Sequence, residues 1–547
     1  MRPGRASYWS LALLAIGCAM ALGAASLRHT GSAAFPIDDA YIYSNYVLNA
    51  SEGDFFRYNL GETSGGMTSL GWYIICTLSY WILLPLHNFF TWLAPPEVQA
   101  DVVLARQVGH LYAAAYLPGL VFHALTAIGV FRLAQLTLAT TEKAPVTRNI
   151  MAWAVGAVAA ASLGLTWGSM SGLEIPLSAA LVVWSLALLI TDARTGEMRG
   201  SLLLAAALPF GRPELLIVGL AGVVWLVFRA IFGPHPTGGP GAARGRVGLY
   251  FVALLIGSGL AAGAYYLGWG NPLPGSFYAK IGGLRIDEGF FSAAEELWLA
   301  GRMAPFIGTG LALLGGLVDW IFPSRTQPNR YVRGETSSSA LLLLIVLVGY
   351  VVGLMLTTPW FGQEDRYLLP VQAVGLVLVG MLVWRVFVLL PAEQLAVARG
   401  IAVSAGVALV ILGIGFNYVW ATRNYAVQVR NIRDAHILPA LWLAQNTPQS
   451  VIVAAEPIGA VRTFSGRRTI DLVGLTSPLT LGTYGDWPAA WEALNQANAG
   501  FLLFYPDWFD EGEAPPWAVE VQRFEIPDNR IAGDDVISIY ELAWDRY

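Results

Sequence analysis

Charge is scarce in this sequence of 547 residues, of which 13% are charged and 56% hydrophobic, whereas about 25% of a typical soluble domain is charged. A single water-soluble core is therefore excluded. Cysteine is nearly absent, and Cys18 and Cys76 both sit inside apolar runs, so the sequence suggests neither a disulfide framework nor a cysteine-held metal. A net charge of −5 supplies no basic surface, and no nucleic-acid partner is expected. The chain does have long apolar stretches, such as 8–27, 340–357 and 402–420, and about 20 residues at 1.5 Å rise cross ~30 Å of hydrocarbon. The chain belongs in a bilayer.

Eleven spans are expected: 8–27, then segments near 110–131, 150–167, 175–191, 200–210, 213–232, 248–268, 303–322, 338–358, 368–388 and 400–421. The first is too long for the 7–15-residue core of a cleaved signal and is read as retained. The apolar stretch 70–90 is ambiguous. If it lies along the interface, most short-loop cations, among them Arg2, Arg5, Arg132, Lys143, Arg148, Arg194 and Arg199, fall on one side, which marks that side as cytoplasmic. From about Asn424 the long apolar windows end, and short runs between Gly, Pro and Asp take over. The expected architecture is a polytopic α-helical membrane domain over 1–423, with a first external loop over 28–109 carrying juxtamembrane helices, and a soluble extracytoplasmic α/β domain over 424–547. Within the latter, strands are expected at 450–456, 469–473 and 500–505 and helices at 438–445 and 487–497.

In this topology the polar clusters 35–68, 171–174, 211–214, 271–285 and 363–367 all reach the outer face. Adjacent carboxylates such as Asp38 and Asp39 repel, so in a partly dry pocket one would hold a proton or require a cation. That suits a general base or a metal ligand; alternatively one of them caps the helix starting at Ala40. The turn holding Gly65, Gly66, Thr68 and Ser69 offers donors to a phosphate or sugar, or the glycines simply supply a tight turn. Glu174 follows Ser171, Gly172 and Leu173 in a short loop, where it is a ligand contact or a solvated charge. Arg212 and Glu214 interrupt two apolar segments, and must pair or face a wet cavity. Lys280, after Pro272, Pro274 and Tyr278, and Arg366, before Tyr367, suit an anionic ligand; the alternatives are snorkelling for Lys280 and pairing with Glu364 or Asp365 for Arg366. Trp442, Trp487, Trp491 and Trp508 could stack on sugars or fill a core.

Taken in order, these motifs, with the tail's Gly466-Arg467-Arg468-Thr469-Ile470-Asp471-Leu472-Val473-Gly474-Leu475, resemble the polyprenyl-phosphate-dependent GT-C glycosyltransferases. The nearest branch is the arabinofuranosyltransferase-like one of cell-wall biogenesis; protein O-mannosyltransferases and lipid A aminoarabinose transferases are more distant. The resemblance implies a multi-pass protein of the plasma membrane. It would carry a sugar from a lipid-phosphate donor to a cell-envelope glycan, lipid or protein acceptor, with inversion. Asp38 or Asp39 would be the base. Tyr41, Thr68, Ser69, Glu174, Arg212, Glu214, Tyr278, Lys280, Arg366 and Tyr367 would bind substrate. Mg²⁺ or Mn²⁺ held by Asp38, Asp39 and Glu174 is optional in such enzymes. A lipid-linked sugar flippase or a non-catalytic glycolipid-binding protein is the alternative. The former would need polar residues within the spans, and the span centres carry hardly any.

Overall fold

The computed structural model describes residues 5–138, 145–232, 239–280, 330–357, 363–389, 417–483, 485–509 and 512–547, with positions 397, 404, 408 and 415. Among these residues, seven helices are long and apolar enough to cross a membrane, or eight when a bent pair counts as one span. The chain is a multi-pass membrane protein. The expected span near 303–322 lies outside the described residues, as does most of that near 400–421.

Helix α1 (Arg5–Thr30) and the 36-residue α4 (Val102–Thr137) form the mast of the bundle. Asp101 starts α4 by accepting the free N–H groups of Val103 and Leu104, the usual remedy for unpaired first-turn donors. Small residues let its neighbours approach closely, as membrane helices require. At Gly119 an added Cβ would lie 2.2 Å from the Ser169 carbonyl. The expected span 150–167 is broken: α5 (Pro145–Ala160) and α6 (Leu163–Met170) meet at a 50° bend. After α7 (Ile175–Thr195), the 12-residue α8 (Gly200–Gly211) covers only ~18 Å, so that it stops at Arg212 before α9 (Leu216–Phe232) begins. Helices α10 (Gly239–Trp269), α11 (Gly275–Lys280), α12 (Arg330–Thr357) and α13 (Leu369–Leu389) complete the described membrane part.

Between α1 and α4 lie α2 (Asp39–Ser51), α3 (Leu70–Leu83) and a 3₁₀ stretch, Leu84–Leu93. The segment Leu70–Leu93 also meets the length and hydropathy of a span, yet both its ends are tied to one end of the bundle. At its start the Ser69 hydroxyl donates to the Phe210 carbonyl and caps Trp72 N–H. At its finish the Leu93 carbonyl accepts the N–H of Ala33, just past α1.

The tail opens with α14 (Thr422–Ile432) and α15 (Leu438–Asn446) and carries a five-stranded sheet. Strands β1 (Ile452–Ala455), β2 (Arg468–Asp471) and β3 (Phe501–Phe504) are parallel, and β4 (Ala518–Glu525) and β5 (Val536–Leu542) antiparallel, in the order β2-β1-β3-β5-β4. Helices α16 (Ile458–Ser465) and α17 (Trp487–Gln496) link the parallel strands. Trp487 and Trp491 stack on each other with Phe504 against their edges, and Trp491 is buried. They fill the core of the tail; Trp508 packs on Tyr505, and Trp442 is partly buried. The free edge of β2 is closed by the loop between α2 and α3: the Asn59 carboxamide donates to the Thr469 carbonyl and accepts its N–H, as a neighbouring strand would.

Candidate active site

The start of α2 leaves the two aspartates of the first loop with different tasks. Neither caps that helix. The Asp38 carboxylate accepts the first N–H groups of α16, from Gly459 at 2.7 Å and Ala460 at 2.9 Å, and also faces His436 Nδ1 at 3.1 Å. On its other side the His436 ring meets the Tyr505 hydroxyl. Asp38 thus ties the tail to the membrane part, both of its oxygens accepting from tail groups. Asp39, one residue on, enters a cleft lined also by Ile42, Tyr43, Gly66, Thr68, Leu173, Glu174, Arg212, Ser276, Arg366, Tyr367 and Leu475.

Five separated segments of the membrane part meet there. Arg212 sits in the non-helical joint between α8 and α9, buried to 5% side-chain exposure, with Glu174 Oε1 at 2.6 Å and Glu214 Oε1 at 2.9 Å. Both carboxylates hold its charge in place; the other oxygen of Glu174, also buried, has no partner among the described residues. Arg366, as deeply buried, places Nη2 2.8 Å from Asp39, not on Glu364 or Asp365. Its Nε and Nη1 are buried without an acceptor among the described residues. Tyr367 lies between the two cations, its ring centre 4.9 Å from the Arg212 guanidinium carbon and 5.2 Å from that of Arg366. An aromatic face is one of the few surfaces that holds a guanidinium without consuming its N–H donors. Thr68 shares a hydrogen bond with Ser276 on the cleft wall.

The tail supplies a wall as well. The turn after β2 passes between two membrane loops, and added Cβ atoms at Gly66 and Gly275 would lie 2.8 and 2.5 Å from the Leu475 carbonyl. The buried Asp471 carboxylate shapes this turn, accepting Val473 N–H, Thr476 N–H and the Thr476 hydroxyl. Burial raises its pKa to about 6.

Of the residues expected from sequence, Asp39, Thr68, Glu174, Arg212, Arg366 and Tyr367 line the cleft, and Glu214 backs Arg212. Four others are elsewhere. Tyr41 is buried with its hydroxyl on Tyr112 and the Phe35 N–H; Ser69 caps α3; Tyr278 is half-exposed against Trp269; and Asp38 belongs to the tail contact. The side chain of Lys280 lies outside the described residues. The oxygen ligand set Asp38, Asp39 and Glu174 is not assembled, because Asp38 faces away and an arginine already takes an oxygen of each of the other two. No group of three or more His, Cys, Asp or Glu among the described residues has metal-ligand spacing, so this donor set does not fit a divalent cation. Sequence reading missed Tyr43 and Leu475 on the cleft wall and His436 behind Asp38. Each is a residue type common in cores, and only the tail's docking gives it a site role.

The fold is that of the GT-C membrane proteins. Among solved structures, ArnT from Cupriavidus metallidurans in the apo state is similar over 99% of both chains, with a TM-score of 0.57 at 13% identity. Its undecaprenyl-phosphate-bound form matches over 97% of both chains at 0.56 and 14%. The archaeal oligosaccharyltransferase AglB from Archaeoglobus fulgidus, in complex with an inhibitory peptide and a dolichol-phosphate, covers 97% of this chain and 75% of its own at 0.54 and 10%. Residues 423–540 match a family described as a domain of unknown function (DUF8728). No curated protein matches the sequence.

Proposed function

We propose that the protein is an inverting glycosyltransferase that moves a sugar from a polyprenyl-phosphate donor to an envelope glycan, lipid or protein acceptor. The observation that carries this reading is Arg366: a buried guanidinium on the cleft wall, bound to Asp39 on one side, with two further N–H donors lacking an acceptor among the described residues. Such donors are costly to leave unmet, and a phosphate oxygen answers both their charge and their geometry. Polyisoprenoid phosphates bound to ArnT and AglB, proteins of the same fold, support the same ligand class.

In this reading Asp39 is the proton acceptor, because the oxygens of Asp38 are engaged by the tail. The Asp39 carboxylate takes the proton of an acceptor hydroxyl while that oxygen attacks the anomeric carbon from the face opposite the phosphate. The bond from the anomeric carbon to the phosphate oxygen breaks, and the lipid phosphate leaves with the electron pair. Arg366 neutralises the growing charge, and the unpartnered Glu174 oxygen accepts a sugar hydroxyl. The cationic Arg194 meets the Leu136 carbonyl near the far end of α4, opposite Tyr112 and Tyr116 at the cleft end. By the positive-inside rule this distribution favours an outward-facing cleft in the plasma membrane. The order of motifs favours an arabinofuranosyl-type pentose as the first sugar to try.

The test is a panel of radiolabelled polyprenyl-phosphate sugars with the purified protein in lipid. One donor should yield free lipid phosphate, and Asp39→Asn should lower turnover by about 10²–10⁴-fold, the range for a lost general base, while still retaining the donor. Turnover at the wild-type rate in Asp39→Asn would remove Asp39 from the chemistry.

A further inference from the structure

The backbone just ahead of Arg366 is strained. Glu364 and Asp365 have φ of 56° and 55°, the left-handed region that residues with a side chain enter only when their surroundings impose it. Glu364 is gripped by two carboxamides of α14: its Oε1 accepts from the amide nitrogens of both Asn424 and Gln428. Those carboxamides have no freedom to turn. The Gln428 oxygen is taken by the Trp167 indole N–H at 2.8 Å, and the Asn424 oxygen by the Arg530 guanidinium at 2.7 Å. An indole N–H and a guanidinium only donate, so each carboxamide must direct its NH₂ group at position 364, and that position must present an acceptor. Gln428 is fully buried, which makes the demand strict on its side. Arg530 comes from the turn between β4 and β5, and that turn is seated on α14 by a second carboxamide, Asn431, which accepts Arg530 N–H and donates to the Pro527 carbonyl.

We propose that Glu364 is a positioning residue, through which α14 and the tail hold the Gln363–Arg366 turn so that Arg366 presents its free donors to the lipid phosphate. This rests on the reading of the cleft as a phosphate site. The carboxylate acts through its lone pairs, not its charge. It need not touch the substrate.

Equilibrium binding of radiolabelled undecaprenyl phosphate to the full-length protein in lipid nanodiscs separates the possibilities, with the thermal midpoint recorded for each variant. Glu364→Gln keeps an acceptor and should bind within about twofold of wild type. Glu364→Ala and Glu364→Gly should each bind about tenfold more weakly, the effect of losing a charge-assisted hydrogen bond. Glycine is at ease at positive φ, so Glu364→Gly should melt above Glu364→Ala, although both leave the Gln428 amide without its acceptor; equally weak binding in the two despite that difference in stability is the signature of positioning. Wild-type affinity in Glu364→Gly would overturn the proposal. Weak binding in Glu364→Gln would overturn the requirement for an acceptor rather than a charge. A wild-type protein that fails to retain undecaprenyl phosphate would instead overturn the phosphate-site reading, and is distinguishable from both.

Discussion

The two arginines of the cleft are equally buried, yet their surroundings prepare them for different work. Arg212 lies between two carboxylates, both fixed on the ends of membrane helices. Arg366 has one carboxylate and a strained turn, and keeps two donors in reserve. The guanidinium whose donors are taken by two carboxylates is held in place, and the one with N–H donors left over is available to a ligand. The same division separates Asp38, whose oxygens the tail absorbs, from Asp39, which the cleft retains.

Arg212→Ala tests the first half of this contrast and should have the largest effect. It leaves Glu174 and Glu214 without their cation in a buried site and should lower stability by about 3–5 kcal/mol, read as the loss of thermal midpoint in detergent. Arg366→Ala should reverse the pattern: a stability loss of about 1 kcal/mol, since Asp39 is partly exposed and can rehydrate, with lipid-phosphate affinity falling about 10–100-fold. If both variants lost stability alike and bound lipid phosphate alike, the distinction between them would vanish. Asp38→Asn removes a charged acceptor from the first turn of α16 and from His436. It should loosen the tail by about 1 kcal/mol, visible as faster protease cleavage near 424–450, with lipid-phosphate affinity kept.

The smallest effect is on pH. Asp471 titrates near 6 in the folded protein against 3.8 when unfolded, so folding favours its protonated form. Its contribution is complete below the unfolded value and disappears as pH rises through about 6. Between pH 7.5 and 5.5 the tail should therefore gain roughly 1 kcal/mol of stability, and Asp471→Asn should flatten that slope.

The apolar stretches and tail strands were legible because burial imposes periods on a chain that can be counted without knowing its neighbours. Strands β1 and β3 fall inside the runs 450–456 and 500–505, and β2 overlaps the run 469–473 but starts one residue before it. Strand β4 escaped because Ala518–Glu525 turns Glu520, Val521 and Arg523 to solvent and reads as a polar stretch; β5 is buried and apolar and was not among the expected strands. The break at 160–163 was hidden by unbroken hydropathy, since a bend changes backbone direction and not composition.

Composition and the order of short motifs determined on their own that this chain lives in a bilayer, carries a folded tail, and places acids and arginines in loops. They could not say which of two neighbouring aspartates faces the cleft. That choice was made when α16 docked its first N–H groups on Asp38, a contact across 421 residues of chain. The pairing of Arg366 with Asp39 over its own neighbours, and the grip of α14 on Glu364, arise in the same way. Charge type is a property of each residue, whereas the partner that satisfies it depends on where the packed helices bring the rest of the chain.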